Sequence, residues 1–175
     1  MAGLLGLAHQ LEAASGTGRA RLAVGGAVTS LAVATALQAV DGIALKGVVD
    51  AWTTASATHK EGVFPAAVTV RHVEGGFTST LRLVFGLTTI VYEVALLGDS
   101  AYPKWVGRLA FAGGVPTVAA GVVMASTGFS VLAMATAMPA HALLVIGMRT
   151  LGVLMWRRAG SEAAFQPPQR SPRRP

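Results

Sequence analysis

Apolar positions along this chain fall in unbroken runs rather than in short periodic faces. From Leu22 to Leu45 the strongly polar side chains are Gln38 and Asp41, both late in the run. Leu81 to Leu97 has Arg82 at its start and Glu93 near its end, around Leu83, Val84, Phe85, Leu87, Ile90 and Val91. Trp105 to Ala125 is uncharged apart from Arg108, and Val131 to Trp156 carries Pro139, His141 and Arg149. About 20 residues of helix cross about 30 Å of hydrocarbon. The pattern predicts an all-α, polytopic transmembrane helical bundle with four spans, at about 22–45, 81–97, 105–125 and 131–156.

The charges inside the runs do not spoil this reading. A charged residue at mid-helix costs about 2.5 to 3.5 kcal/mol on the insertion scale, and each Leu, Ile, Phe or Val returns about 0.3 to 0.6. Arg82 and Glu93 lie towards the ends of a span rich in those four types, where the penalty falls. The third span is weaker, because its many Gly and Ala residues supply little transfer energy.

The remaining segments divide the chain into an N-terminal cytoplasmic piece (1–21), the helical domain (22–158) with an extracytoplasmic loop (46–79), and a disordered cytoplasmic tail (159–175). Within the loop, Val63, Ala67, Val70 and Phe77 fall near one face of a short interfacial helix, with Trp52 and Phe64 suited to the headgroup level. Gly75-Gly76 marks a break before the second span, and Asp99 to Pro103 a tight turn after it. Met1 to Leu11 is apolar but too short to span. No positive stretch precedes it, which favours an uncleaved start over a signal peptide.

Composition agrees. Of 175 residues, 53% are apolar and 13% charged, with mean hydropathy +0.57 and 21 glycines. A soluble domain carries about 25% charged residues, and disorder needs low hydrophobicity with high charge. Both classes are excluded. The absence of cysteine removes disulfides, thiolate metal sites and cysteine nucleophiles.

The net charge of +6 would ordinarily suggest nucleic acid, but its placement marks topology. Arg19, Arg21, Lys104, Arg108, Arg157 and Arg158 flank the spans on one side, joined by Arg170, Arg173 and Arg174 in the tail. Lys46, Lys60, Arg71 and Arg82 are spread over the longer opposite connection. Positive flanks stay cytoplasmic, so both termini are expected inside a plasma (inner) membrane. The partner is the lipid bilayer, including anionic lipid near the tail, and not nucleic acid.

Lipid gives helices no hydrophobic drive to associate, so small residues at helical spacing mark close approach. Span one offers Gly26, Ser30, Ala34, Gln38 and Gly42. Span two offers Arg82, Gly86, Thr89 and Glu93, and span four Ala133, Ala137, His141, Val145 and Arg149. Polar and small groups share these stripes, which are expected to face inward. Depth pairs Glu93 with Arg149 or Arg108, and Asp41 with Arg82.

Asp41, Arg82, Glu93, Arg108, His141 and Arg149 are therefore the candidate intramembrane polar residues. They suit structural pairing, a proton relay through Glu93 and His141, or a pocket for an anionic or quinone-like ligand near Arg149. No catalytic constellation, phosphate loop or paired metal-binding histidines occur, and Gly16-Thr17-Gly18 lacks the context of a dinucleotide site. His59, His72, Glu61 and Glu74 form only a weak metal pattern in a solvated loop. No catalytic, cofactor or metal residues are assigned.

Ala39-Val-Asp-Gly-Ile-Ala-Leu-Lys46 continuing to Asp50-Ala-Trp52, and Tyr102-Pro-Lys-Trp-Val-Gly-Arg-Leu109 opening a Gly/Ala-rich span, resemble a family of small bacterial multi-spanning membrane proteins of unknown function, over most of residues 20–159. Members of that family often have two further helices upstream. The resemblance implies a helical membrane fold and brings no activity or site residues.

The reading is a non-enzymatic bundle or membrane-complex subunit, assembling as a homo-oligomer or with a membrane partner. Its alternatives are a small proton-coupled carrier using Glu93, His141 and Arg149, and a membrane enzyme binding lipid or quinone.

Overall fold

A computed structural model describes residues 18–97 and 103–164. The chain is all-α, with α1 (Gly18–Ala39), a π-helical segment (Val40–Leu45), α2 (Lys46–Thr54), α3 (Ala57–Leu97), α4 (Lys104–Thr127) and α5 (Val131–Ala164). Among the described residues four helices are long and apolar enough to cross a membrane, at Arg21–Thr54, Ala57–Leu97, Lys104–Thr127 and Val131–Arg157. The four expected spans lie within them.

The helix ends follow local chemistry. Ala55 turns extended (φ −67°, ψ 144°) and stops α2. The Ser56 carbonyl then accepts the His59 and Lys60 amides to start α3. Pro103, extended at φ −61° and ψ 130°, precedes α4. Gly128 closes α4 at φ +62°, a conformation only glycine takes without strain. Ser130 Oγ accepts the Ala133 amide at 3.1 Å as the N-cap of α5.

The expected loop 46–79 is corrected. Helix runs through the π segment into α2, stops only at Ala55-Ser56, and resumes as 41 residues of α3. Gly75-Gly76 does not break it: both are helical, and a Cβ on Gly75 would meet the Phe129 ring at 3.5 Å. Glycine inside a helix costs about 1 kcal/mol relative to alanine, too little to stop a helix that packs on a neighbour. Helix also continues past residue 158 to Ala164, into the expected tail. Residues 1–17, the turn at 98–102 and the tail from 165 lie outside the described residues.

The helices pack in chain order: α1 on α3, α3 on α4, and α4 on α5. Glycines set the register. Gly26 meets Thr88, Gly86 meets Val118, Gly121 meets Leu83, and Gly113 meets Leu144. Towards the end holding Gly18 and Leu97, Leu151 and Met155 of α5 pack against a cluster of Ala23, Ala27, Tyr92, Ala95 and Leu96. At the other end α2 and the first half of α3 continue beyond the α4–α5 turn as a two-helix arm. At about 1.5 Å per residue α4 measures about 36 Å and α3 about 61 Å, so the arm extends well past a bilayer that α4 alone would cross.

The inward stripes hold for span two and fail midway along spans one and four. Ser30 is buried while Gln38 and Gly42 are exposed. Ala133 and Ala137 are buried while His141, Val145 and Arg149 are exposed. Four residues rotate a helix by about 400°, so a line stepped strictly by four drifts about 40° each time. In α5 the buried line turns instead through Ala133, Ala137, Ala140 and Leu144.

Candidate functional site

The seam between α3 and α4 is built on glycines. On α4, Gly107, Gly114 and Gly121 recur every seven residues and lie against Leu97, Ile90 and Leu83. A seven-residue period keeps one face towards its partner along a left-handed crossing. On α3, a Cβ at Gly86 would stand 2.7 Å from Val118 Cγ2 and 2.9 Å from the Gly114 carbonyl. The glycine heptad was present in the sequence and gave no transfer-energy signal, so apolarity alone passed over it.

Along this seam α3 places its polar side chains one above another. Ser79 Oγ donates to the Gly121 carbonyl at 3.0 Å and is buried. Arg82 Nη1 donates to Met124 Sδ at 3.0 Å, a weak acceptor for a guanidinium. Glu93 is 4% exposed, and its Oε2 has no hydrogen-bond partner. Its Cγ lies 3.6 Å from where a Cβ on Gly107 would stand, so the absent side chain leaves the carboxyl its space.

The expected ion pairs are not formed. Arg108 and Arg149 are exposed, and the carboxylates of Asp50 and Glu74 pair instead with Lys46 and Arg71 (Arg71–Glu74 at 2.6 Å). Depth matches for Glu93 and Arg149, since Gly147 of α5 meets Leu109 and Gly107 meets Glu93, but Arg149 points away from the bundle. Matching depth along parallel axes says nothing about azimuth. Asp41 and Arg82 also do not pair. Asp41 is exposed within the π segment, while Arg82 is directed at Met124.

His141 is exposed about a third of the way along α5, so Glu93, His141 and Arg149 do not converge. Among the described residues no group of three His, Cys, Asp or Glu side chains is disposed to hold a metal ion. The apolar cleft between α3, α4 and α5, lined by Phe85, Tyr92, Val106, Leu144, Met148 and Leu151, holds about 40 Å³. That is room for a few water molecules.

The two segments that carried the resemblance are structurally special. Residues 39–46 contain the π segment, a feature often found at functional positions, and 103–109 form the first turns of α4 after the extended Pro103, with Gly107 against Leu97. No family model, curated protein or solved structure matches the chain.

Proposed function

We propose that the protein is a non-enzymatic, multi-pass subunit of a plasma-membrane assembly, with both termini cytoplasmic, joined to further copies of itself or to another membrane protein. The observation that carries this reading is the uncovered arm. Between Ser30 and Glu74 no residue is buried, although Ile43 (75% exposed), Phe64 (58%), Val49 and Trp52 are large and apolar. Two helices without a core do not hold together in water. His141 and Arg149 on the outer face of α5 point the same way, because ionisable groups at membrane depth normally face protein or a water-filled cavity.

Single cysteines at Ile43, Phe64 and His141 test this in native membranes, since the chain has none of its own. Oxidative cross-links to a like copy or to another membrane protein from Ile43→Cys and Phe64→Cys are the expected result. A protein that stays monomeric by native mass spectrometry and yields no adduct at any of the three positions overturns the proposal.

A carrier is the second reading, and Glu93 favours it. A buried carboxyl without a partner is a natural place for a proton or cation to be taken up and released. Proton flux in reconstituted vesicles, abolished by Glu93→Gln, would establish the carrier, and flux unaffected by that change would dismiss it. The relay through His141 and Arg149 loses support, because neither shares the seam. A quinone-binding enzyme loses support from the size of the apolar cleft.

A further inference from the structure

We propose that the junction between the arm and the α4–α5 turn is a binding site for a phosphate group, presented by an anionic lipid headgroup. A concavity of about 570 Å³ opens there, lined by Arg71, His72 and Gly76 of α3 and by Met124, Thr127 and Phe129 across from them. That volume lies within the range of small-ligand sites. Its floor exists because side chains are missing: a Cβ on Gly76 or on Gly128 would meet nothing within 4 Å.

The cation at its rim is held in position before any ligand arrives. The Arg71 guanidinium lies over the Phe129 ring at 4.1 Å and donates from Nη1 to Glu74 Oε2 at 2.6 Å. Glu74 is buried and fixes one edge of the guanidinium, while the Arg71 side chain remains 50% exposed. A guanidinium has five N–H donors and pairs well with phosphate oxygens. His72 stands beside it, exposed and without a hydrogen-bond partner among the described residues. Below, Arg82 donates to the sulfur of Met124, which itself lines the concavity. Glu74 pairs with Arg71, and Arg82, directed at Met124 Sδ, has no carboxylate against it, so the neighbourhood keeps a positive excess.

Depth selects the source of the phosphate. α4 exceeds the about 30 Å of hydrocarbon by several ångströms, which places the α4–α5 turn among headgroups. Gly75 lies opposite Phe129 at this level, and Arg71 is one turn beyond. On the other side Arg71 and His72 border a second, apolar hollow of about 360 Å³ with Leu45, Phe64, Ala67 and Val68. This site does not depend on the assembly proposed above, only on the helices crossing a bilayer.

The test uses the full chain in nanodiscs of phosphatidylcholine with or without phosphatidylglycerol, followed by native mass spectrometry of retained lipid. Wild type is expected to retain phosphatidylglycerol at least tenfold over phosphatidylcholine. Gly76→Leu places an apolar side chain in the concavity from a position where a Cβ meets nothing within 4 Å, without changing charge, and is expected to abolish that preference. His72→Ala is expected to weaken it several-fold, and Gly62→Leu, open but remote, to leave it unchanged. A parallel titration with inorganic phosphate in detergent separates the sources: binding there, blocked by Gly76→Leu, with no lipid preference would keep the phosphate site and overturn the lipid assignment. Equal retention of both lipids by all variants, with no phosphate binding, overturns the site itself.

Discussion

At Gly86 the backbone of a neighbouring helix occupies the place where a side chain would begin. Two of the three atoms that a Cβ would meet there, the Gly114 carbonyl oxygen and the Val118 nitrogen, are main chain and cannot rotate away. Gly86→Ala is expected to destabilise the folded protein by about 1 to 3 kcal/mol, read as a lowered unfolding midpoint in detergent. Gly147→Ala supplies the contrast, because its nearest neighbour is a leucine side chain at 3.8 Å and alanine is the better helix former by about 1 kcal/mol, so the midpoint there is expected to hold or rise; a loss similar to that at Gly86 would show that close approach is not what makes Gly86 intolerant. Glu93 behaves oppositely. Its orphan Oε2 costs about 1 to 3 kcal/mol as an unsatisfied buried polar atom, so Glu93→Leu is expected to raise the same midpoint. A lowered midpoint would mean that the carboxyl has a structural partner. Neither residue's situation was readable from the chain, since apolarity and spacing locate a side chain along a helix but do not say which atoms of another helix stand opposite.

The element that departs most from ordinary helix is the π segment, Val40–Leu45. A π-bulge accommodates one residue more than the α-helix around it, which turns everything beyond it by about 100°. Deleting Gly42 is expected to restore α-helix and swing α2 so that Leu45 leaves the hollow it shares with Phe64 and Val68. Faster amide exchange in 46–54, with exchange in α4 unchanged, is the expected readout; unchanged exchange throughout would show that the bulge does not set the azimuth of α2. In the other strut of the arm, Pro65 sits nine residues into α3 and removes one backbone hydrogen bond. An interior proline costs about 3 kcal/mol, so Pro65→Ala is expected to slow exchange over 57–73. The absence of that effect would mean the arm is already held by something outside the chain, as in an assembly that survives purification. The continuity of these helices was hidden from pattern reading by Gly75-Gly76, which reads as a breaker when neighbours are unknown, and by the scattered charge that interrupts the apolar run.

For the molecule as a whole, charge placement yields a topology that can be measured without a structure. In intact cells Thr54→Cys, at the arm's tip, is expected to react with an impermeant maleimide, and Arg157→Cys to react only after the membrane is opened. Labelling of both from the same side would refute the proposed orientation with termini inside. The open row of helices gives the same residues a second meaning: His141 and Arg149 are exposed on the flank of α5, where a single copy in lipid would leave them facing hydrocarbon.

Class, span number and the matching depth of Glu93 and Arg149 were legible in the amino-acid order, because long apolar runs permit only helices in hydrocarbon and a fixed rise per residue converts position into height. Azimuth was not. Whether Glu93 meets Arg149 and whether His141 looks inward depend on how far each helix rotates about its own axis. That rotation is set by close contacts between helices, above all the glycines of α3 and α4, and such contacts exist only once the helices are packed.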